Sequence, residues 1–249
     1  MPRRPPRFRR LLTAAGWPAG IALTSWSYMW RITPLHRREL AGSMDRDAPP
    51  PLPAGASREE AQLSDAGVGQ LFHRRYRTRI AQQELDAEQL MARIAADLNQ
   101  VAPTEFARFT KVHGERGGMA VGDEYVVRMP GPWDGPVRVI ELTPASFRLA
   151  TLDGHLEAGQ IEFRAEDAGD DSAGEIVFTI ESWARSGDQF SRIMYQRLHM
   201  AKEVQLHMWT SFLERVVKVA GGRLAGGIDV ETRIVDDEVA VRPSASLSG

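Results

Sequence analysis

The chain has no cysteine. That absence removes disulfide frameworks, thiolate metal centres and thiol nucleophiles, and it makes the redox state of the compartment irrelevant to the fold. A net charge of consequence is also missing, since 31 Lys and Arg stand against 33 Asp and Glu. No repeat of solenoid period is present, which excludes arrays and propellers. The glycine-rich stretches GERGG (Gly114–Gly118) and AGGRLAGG (Ala220–Gly227) lack the lysine and strand-to-helix placement of a phosphate loop. They read as a loop and a helix stop, and no cofactor is expected. What is present is ordinary for a globular protein of 249 residues, 43% apolar and 26% charged, so one main core with appendages is the expectation.

Charge is unevenly placed. Arg3, Arg4, Arg7, Arg9, Arg10, Arg31, Arg37 and Arg38 all precede the first acid, Glu39. Between them, residues 11–30 carry no charge and include Trp17, Trp26, Tyr28 and Trp30, aromatics suited to a bilayer interface. Residues 1–40 are therefore expected to meet a membrane or to pack on the domain, and the location to be cytoplasmic or membrane-associated. Spanning, lying on the surface and packing all remain open, because the run is long enough to span but is diluted by Gly16, Pro18 and Gly20. The interruption at Pro18, with no small-residue cleavage site after it, argues against a cleaved signal peptide.

Residues 41–69 hold DAPPPLPAGAS and no sustained apolar period, reading as a proline-rich linker or wrapping arm. Residues 70–222 should form the folded domain. Its first strand, LFHRRYRTRI (Leu71–Ile80), alternates Phe72, Arg74, Tyr76, Thr78 and Ile80 with His73, Arg75, Arg77 and Arg79. The second set makes a basic outer face. Without interleaved exposed aromatics it reads as solvated, and no nucleic acid is expected. Asp86 is placed to cap a helix running to about Leu98, and a second short helix is expected near Thr104–Phe109. Five short extended segments follow: Gly122–Met129, Val137–Leu142, Phe147–Leu152, Gln160–Ala165 and Glu175–Ala184. A long amphipathic helix over about Asp188–Ala220 closes the domain, with Met194, Arg197, Ala201, Met208 and Phe212 on one stripe and Trp209 beside it. Beyond it, residues 223–249 are acidic and are expected to be a flexible tail.

The segment TLDGHLEAGQIEF (Thr151–Phe163) resembles the signature of the domain-of-unknown-function family numbered nineteen-ninety, through Thr151, Leu152, Gly154, His155, Gly159 and Phe163. The following VFTIESWAR resembles that family's aromatic-rich strand. Asp153, Leu156 and Gln160 depart from the pattern, replacing two prolines and an acid. The resemblance, which covers about Leu71–Gly222, implies an α+β helix-grip fold similar to the START and plant-allergen superfamily: a curved antiparallel sheet wrapped around a long C-terminal helix. No established activity comes with it, and whether the chain is an enzyme stays open.

Three functions are carried forward. The first is binding of an apolar or amphipathic, lipid-like small molecule in an internal cavity, with His155, Arg197, Met194, Ala201, Met208, Trp209 and Phe212 as candidate contacts. The second is a cyclase- or hydrolase-like enzyme using pocket acids and His155, flanked by Asp153 and Glu157. The third is a membrane-associated interaction protein whose core is filled by its own side chains. Arg197 facing inward would need a partner such as Glu162, Glu181 or a ligand acid. His199, Glu203 and His207 recur every four residues, but three ligands on one straight helix converge poorly on one ion. They are expected to form a solvated row, and no metal is expected.

Overall fold

In the computed structural model of the chain, residues 33–103, 107–128, 134–169, 174–187 and 199–236 are described, with the helix over 199–204 described by its backbone alone. In chain order the elements are β1 (Leu35–Ala41), α1 (Met44–Asp47), β2 (Val68–Ala81), α2 (Ala87–Ala96), β3 (Arg108–His113), β4 (Glu124–Arg128), β5 (Asp134–Leu142), β6 (Ser146–Thr151), β7 (Glu157–Asp167), β8 (Ile176–Ser186), α3 (His199–Val219) and β9 (Arg223–Val235). The nine strands make one sheet in the order β1-β9-β2-β8-β7-β6-β5-β4-β3.

Local chemistry sets the elements much as expected. Asp86 accepts the backbone N–H of Gln89 at 2.8 Å and Gln89 returns a bond to the Asp86 N–H at 3.2 Å, a reciprocal cap at the start of α2. Alternation sorts the strands into two faces. On the inner face Ile80, Phe147, Phe163, Phe178 and Ile180 meet Leu206, Trp209, Phe212 and Val216 of α3 and Leu90 and Ile94 of α2 in the main core. Phe163 is the hub. Its ring centroid lies 4.7 Å from Phe147, 5.3 Å from Phe212 and 5.7 Å from Trp209. The outer face is covered in part by residues 48–67. There Leu52, Ala56, Ala61 and Leu63 pack on Ile140 and Ala150, so the proline-rich stretch behaves as a wrapping arm.

Four expectations need correction. The sheet is mixed, because β1 runs parallel to β9 while the other pairings are antiparallel. Residues 223–235, expected in a flexible acidic tail, form β9 between β1 and β2. Its acids disguised a strand whose alternate residues Ile228, Val230, Thr232 and Ile234 lie opposite Thr78, Tyr76, Arg74 and Phe72. Residues 35–40 belong to β1 instead of to an N-terminal appendage. Finally, Arg108 and Phe109 open strand β3, not the end of a short helix. The 21 residues of α3 fall inside the helix expected over Asp188–Ala220. The part over 188–198 lies outside the described residues, as does the uncharged segment 11–30. Among the described residues no helix is long and apolar enough to cross a membrane.

The position of β9 makes a direct prediction. Ile228 is fully buried, so Ile228→Ala should cost about 2–5 kcal/mol of unfolding free energy in a denaturant titration. A change within about 0.5 kcal/mol, typical of an exposed position, would return this segment to a tail.

Candidate functional site

The family-like signature turns out to be a folding device at the β6–β7 hairpin. The Thr151 hydroxyl donates to the backbone carbonyl of Gln62 at 2.6 Å and accepts the Gly159 N–H at 2.9 Å. Gly154 sits at φ +92°, left-handed backbone that disfavours a side chain. Gly159 passes so near β8 that an added Cβ would lie 2.0 Å from the Trp183 carbonyl oxygen. Phe163 supplies the aromatic hub. From the arm, the Gln62 amide donates to the backbone carbonyls of His155 and Glu157 at 2.9 and 3.0 Å, closing the turn from outside.

His155 serves that turn. Its Nδ1 lies 2.9 Å from the Glu157 backbone N–H and 3.0 Å from the Glu157 carbonyl oxygen, so this nitrogen is engaged by the turn in either neutral tautomer. Burial pushes its pKa below the ordinary value, outweighing the nearby Glu157 charge. The carboxylates expected beside it do not form an acid–base cluster with it. Asp153 is exposed, and the Glu157 carboxylate turns to the inner face, 3.6 Å from the Arg74 guanidinium and 3.3 Å from the Gln205 amide.

The inner face has two ends of different chemistry. Toward α2 the core is aromatic and aliphatic. Toward the start of α3 it becomes polar. Arg74, only 5% exposed, lies directly across from Ser182, which lies across from Ile161, one inward step along β7 from Phe163. The Arg74 guanidinium also sits 4.6 Å over the Phe72 ring. The Ser182 hydroxyl and the Trp209 indole N–H are buried and have no hydrogen-bond partner among the described residues. Buried polar groups are paired in the great majority of cases, so Ser182 marks this end of the interface, as Gln160 Oε1 and Arg148 Nε, also without a hydrogen bond among the described residues, mark places on the outer face. Sequence reading missed Arg74 and Ser182 because one was counted in a basic strand and the other in an aromatic one. The alternation that places both inward was nevertheless legible.

Among the candidate contacts, Met208, Trp209 and Phe212 lie in the core against the sheet. Ala201 lies on the described backbone of α3, while Met194 and Arg197 fall outside the described residues. The partners considered for Arg197 face the other way. Glu181 and Glu162 are on the outer face, where Glu181 takes Arg75 at 2.6 Å and His73 at 2.7 Å. Glu162 lies across from Glu181. Burial raises its pKa, Arg164 and Arg148 counter that only in part, and Glu181 and Glu141 add to it. His207 is buried, not part of a solvated row; the side chains of His199 and Glu203 lie outside the described residues. A separate polar cleft of about 730 Å³ opens between α2 and the last turns of α3, lined by Glu84, Arg93, Ser211, Glu214, Lys218 and Gly221. None of the expected contact residues lines it.

A lowered His155 pKa has a definite sign. The unfolded chain binds the proton first, so this residue's contribution is present above about pH 6.5 and lost as pH falls through that range. Wild type should therefore lose more stability than His155→Gln between pH 7 and pH 5 in paired urea titrations. Equal losses would mean that the ring is not held neutral.

Comparison with known proteins adds the family and little beyond it. No curated protein matches the chain. Among solved structures it is similar to a hypothetical protein of Helicobacter pylori, with 8% identity, a TM-score of 0.43, and 59% of this chain and 86% of that one covered. It is similar also to norcoclaurine synthase from Thalictrum flavum in complex with dopamine and hydroxybenzaldehyde, at 11% identity and a TM-score of 0.43, covering 69% of this chain and 96% of that one. A third is protein Ms6760 from Mycobacterium smegmatis, at 13% identity and a TM-score of 0.38, covering 59% and 89%. The match that decides affiliation spans residues 58–216, and by it the chain belongs to the family described as Domain of unknown function (DUF1990).

Proposed function

We propose that the chain binds an amphipathic small molecule in helix-grip fashion, between α3 and the inner face of the sheet, with the polar end of the ligand at Arg74. One observation carries the reading: a buried guanidinium, Arg74, lies across the ladder from the buried Ser182 hydroxyl, which has no partner among the described residues, and the indole N–H of Trp209 on α3 is likewise buried without one. Leaving such a group unpaired costs about 1–3 kcal/mol, and an acceptor on a ligand would recover it. The planar guanidinium of Arg74 suits a carboxylate or phosphate head. The apolar part of the ligand would lie against Met208, Trp209 and Phe212 and gain about 25 cal/mol per Å² of buried surface. His155, behind the Glu157 turn, serves as a rim support.

The enzyme reading gains no support from His155, since its Nδ1 is occupied by the backbone of the turn. The filled-core reading does have an observation in its favour. Phe147, Phe163, Trp209 and Phe212 already close the apolar end with centroids 4.7–5.9 Å apart. The two readings separate on one variant. Ser182→Ala should not destabilise the unliganded protein and should raise its stability by up to about 1–3 kcal/mol, since it removes a buried hydroxyl that makes no described bond. It should weaken binding of a long-chain fatty acid to the full-length protein by roughly fivefold, the worth of one hydrogen bond. Native mass spectrometry that finds no retained small molecule, together with unchanged fatty-acid binding in Ser182→Ala, would favour a filled core.

Attachment to a membrane is proposed for the arginine-flanked residues 1–32. Because β1 begins at Leu35 and pairs with β9, a deletion must stop before it. Removing 1–32 should shift the protein from the membrane to the soluble fraction with its melting temperature retained. Full-length protein that is already soluble would discard the attachment.

A further inference from the structure

The outer face holds a second set of buried titratable groups unrelated to the inner site. His73, 6% exposed, stands between two buried carboxylates: Nδ1 lies 2.8 Å from Asp47 of α1 and Nε2 lies 2.7 Å from Glu181 of β8. Trp183 stacks on the ring at 5.3 Å. Only the imidazolium can donate from both nitrogens at once. We propose that Asp47, His73 and Glu181 form a proton-dependent latch that holds α1, and with it the first turn of the arm, against the outer face of the sheet.

The surroundings decide which side opens. Arg75 of β2 reaches Glu181 at 2.6 Å, and Arg164 of β7 stands 4.0 Å from it. Glu162 lies across the strand from Glu181. On the other side, Asp47 accepts the Ser43 N–H at 2.8 Å and has Arg233 of β9 at 3.7 Å, but Arg233 already pairs with Glu231 at 2.8 Å. When His73 loses its proton one nitrogen keeps only a lone pair, and the carboxylate facing it is repelled. Glu181 retains the Arg75 guanidinium, so Asp47 is the partner released. The opening is bounded by the Gly42 N–H bond to the Ile234 carbonyl before α1 and by the Gln160 bond to the Pro50 carbonyl at 3.1 Å after it. It would uncover the apolar cluster of Leu71, Trp183 and Val235.

The direction of titration agrees with this geometry. Burial alone would lower the His73 pKa, but the hydrogen bonds to Glu181 and Asp47 and the Glu181 charge together raise it. Burial would raise both carboxylates, yet the bond and charge of His73, with the Ser43 N–H and Arg233 at Asp47 and with Arg75 at Glu181, bring both down. The carboxylate contributions are present above their ordinary range and lost in acid. The His73 contribution is complete below pH 6.5 and lost as pH rises through its raised value. The latch is thus closed below pH 6.5 and opens as pH rises through the raised His73 value.

Hydrogen exchange of full-length protein, corrected for the intrinsic rate, tests this over pH 6–9.5. Amides of residues 43–48 should lose about tenfold or more in protection as His73 titrates, while those of β8 hold theirs. Fluorescence that depends on Trp183, isolated by comparison with Trp183→Phe, should change at the same midpoint. His73→Gln should be open at every pH. Glu181→Gln, which keeps a side chain able to accept from Nε2, should move the midpoint down. Flat protection across the range, or a midpoint that Glu181→Gln leaves in place, overturns the latch whether or not His73→Gln folds.

Discussion

Two adjacent basic side chains, His73 and Arg74, are buried on opposite faces of one central strand, and much of the architecture answers that constraint. Removing a cation from water is costly unless acids and hydrogen bonds replace the solvent. The replacements come from distant parts of the chain: Asp47 from the arm, Glu181 from β8, and Glu157 from the turn that Gln62 and His155 brace. The arm is consequently ordered by electrostatics at one end and by the Leu63–Ile140–Ala150 contact at the other. Strand β2 can bear both charges because Glu181 of β8 meets His73 on one face and Glu157, at the start of β7, meets Arg74 on the other.

The same strand alternation extends into a transverse row of charge on the outer face. Arg38, Glu231, Arg75, Glu181, Glu162, Arg148 and Glu141 lie successively across seven strands. Signs alternate except where Glu181 meets Glu162. Arg164, two residues further along β7 and so on the same face, reaches both acids at 3.4 and 4.0 Å and relieves that contact. Sheets gain from opposite charges directly across a ladder and lose from like ones. This row therefore ties β1 and β9, the strands farthest from β3, electrostatically as well as by backbone to the centre of the sheet.

How much was legible in the sequence follows from what each pattern depends on. Period-two alternation found β2, short extended runs between turn-forming residues found the strands from β4 to β8, and the apolar stripe found α3, because each of these signals is local to one element. It failed at β9, where Asp229 and Glu231 look like tail residues until Arg77 and Arg75 are seen across the strand. It failed at His73, counted in a solvated basic face, because the cover over it arrives from residue 47, and no local period carries a contact of that range. At His207 the helix angle alone placed the residue opposite the stripe, but with α3 packed between strands and α2 the buried arc is wider than one stripe. The signature around Thr151–Phe163 was recognisable as a unit, although its enzyme-like residue, His155, proved to be part of the turn.

Polarity within the inner interface bears on what it can hold. If the core were filled from end to end, a strand inserting the Ser182 hydroxyl toward a helix without a partner among the described residues would be a local conflict, whereas the opposite end, around Phe163, shows ordinary aromatic packing. Natural sequences keep such conflicts chiefly where function demands them. The outer face, by contrast, satisfies His73 at both nitrogens, so its buried charge needs no further partner. The two faces of β2 thus separate a polar cluster that holds the arm, around His73, from one that meets α3, around Arg74 and Glu157.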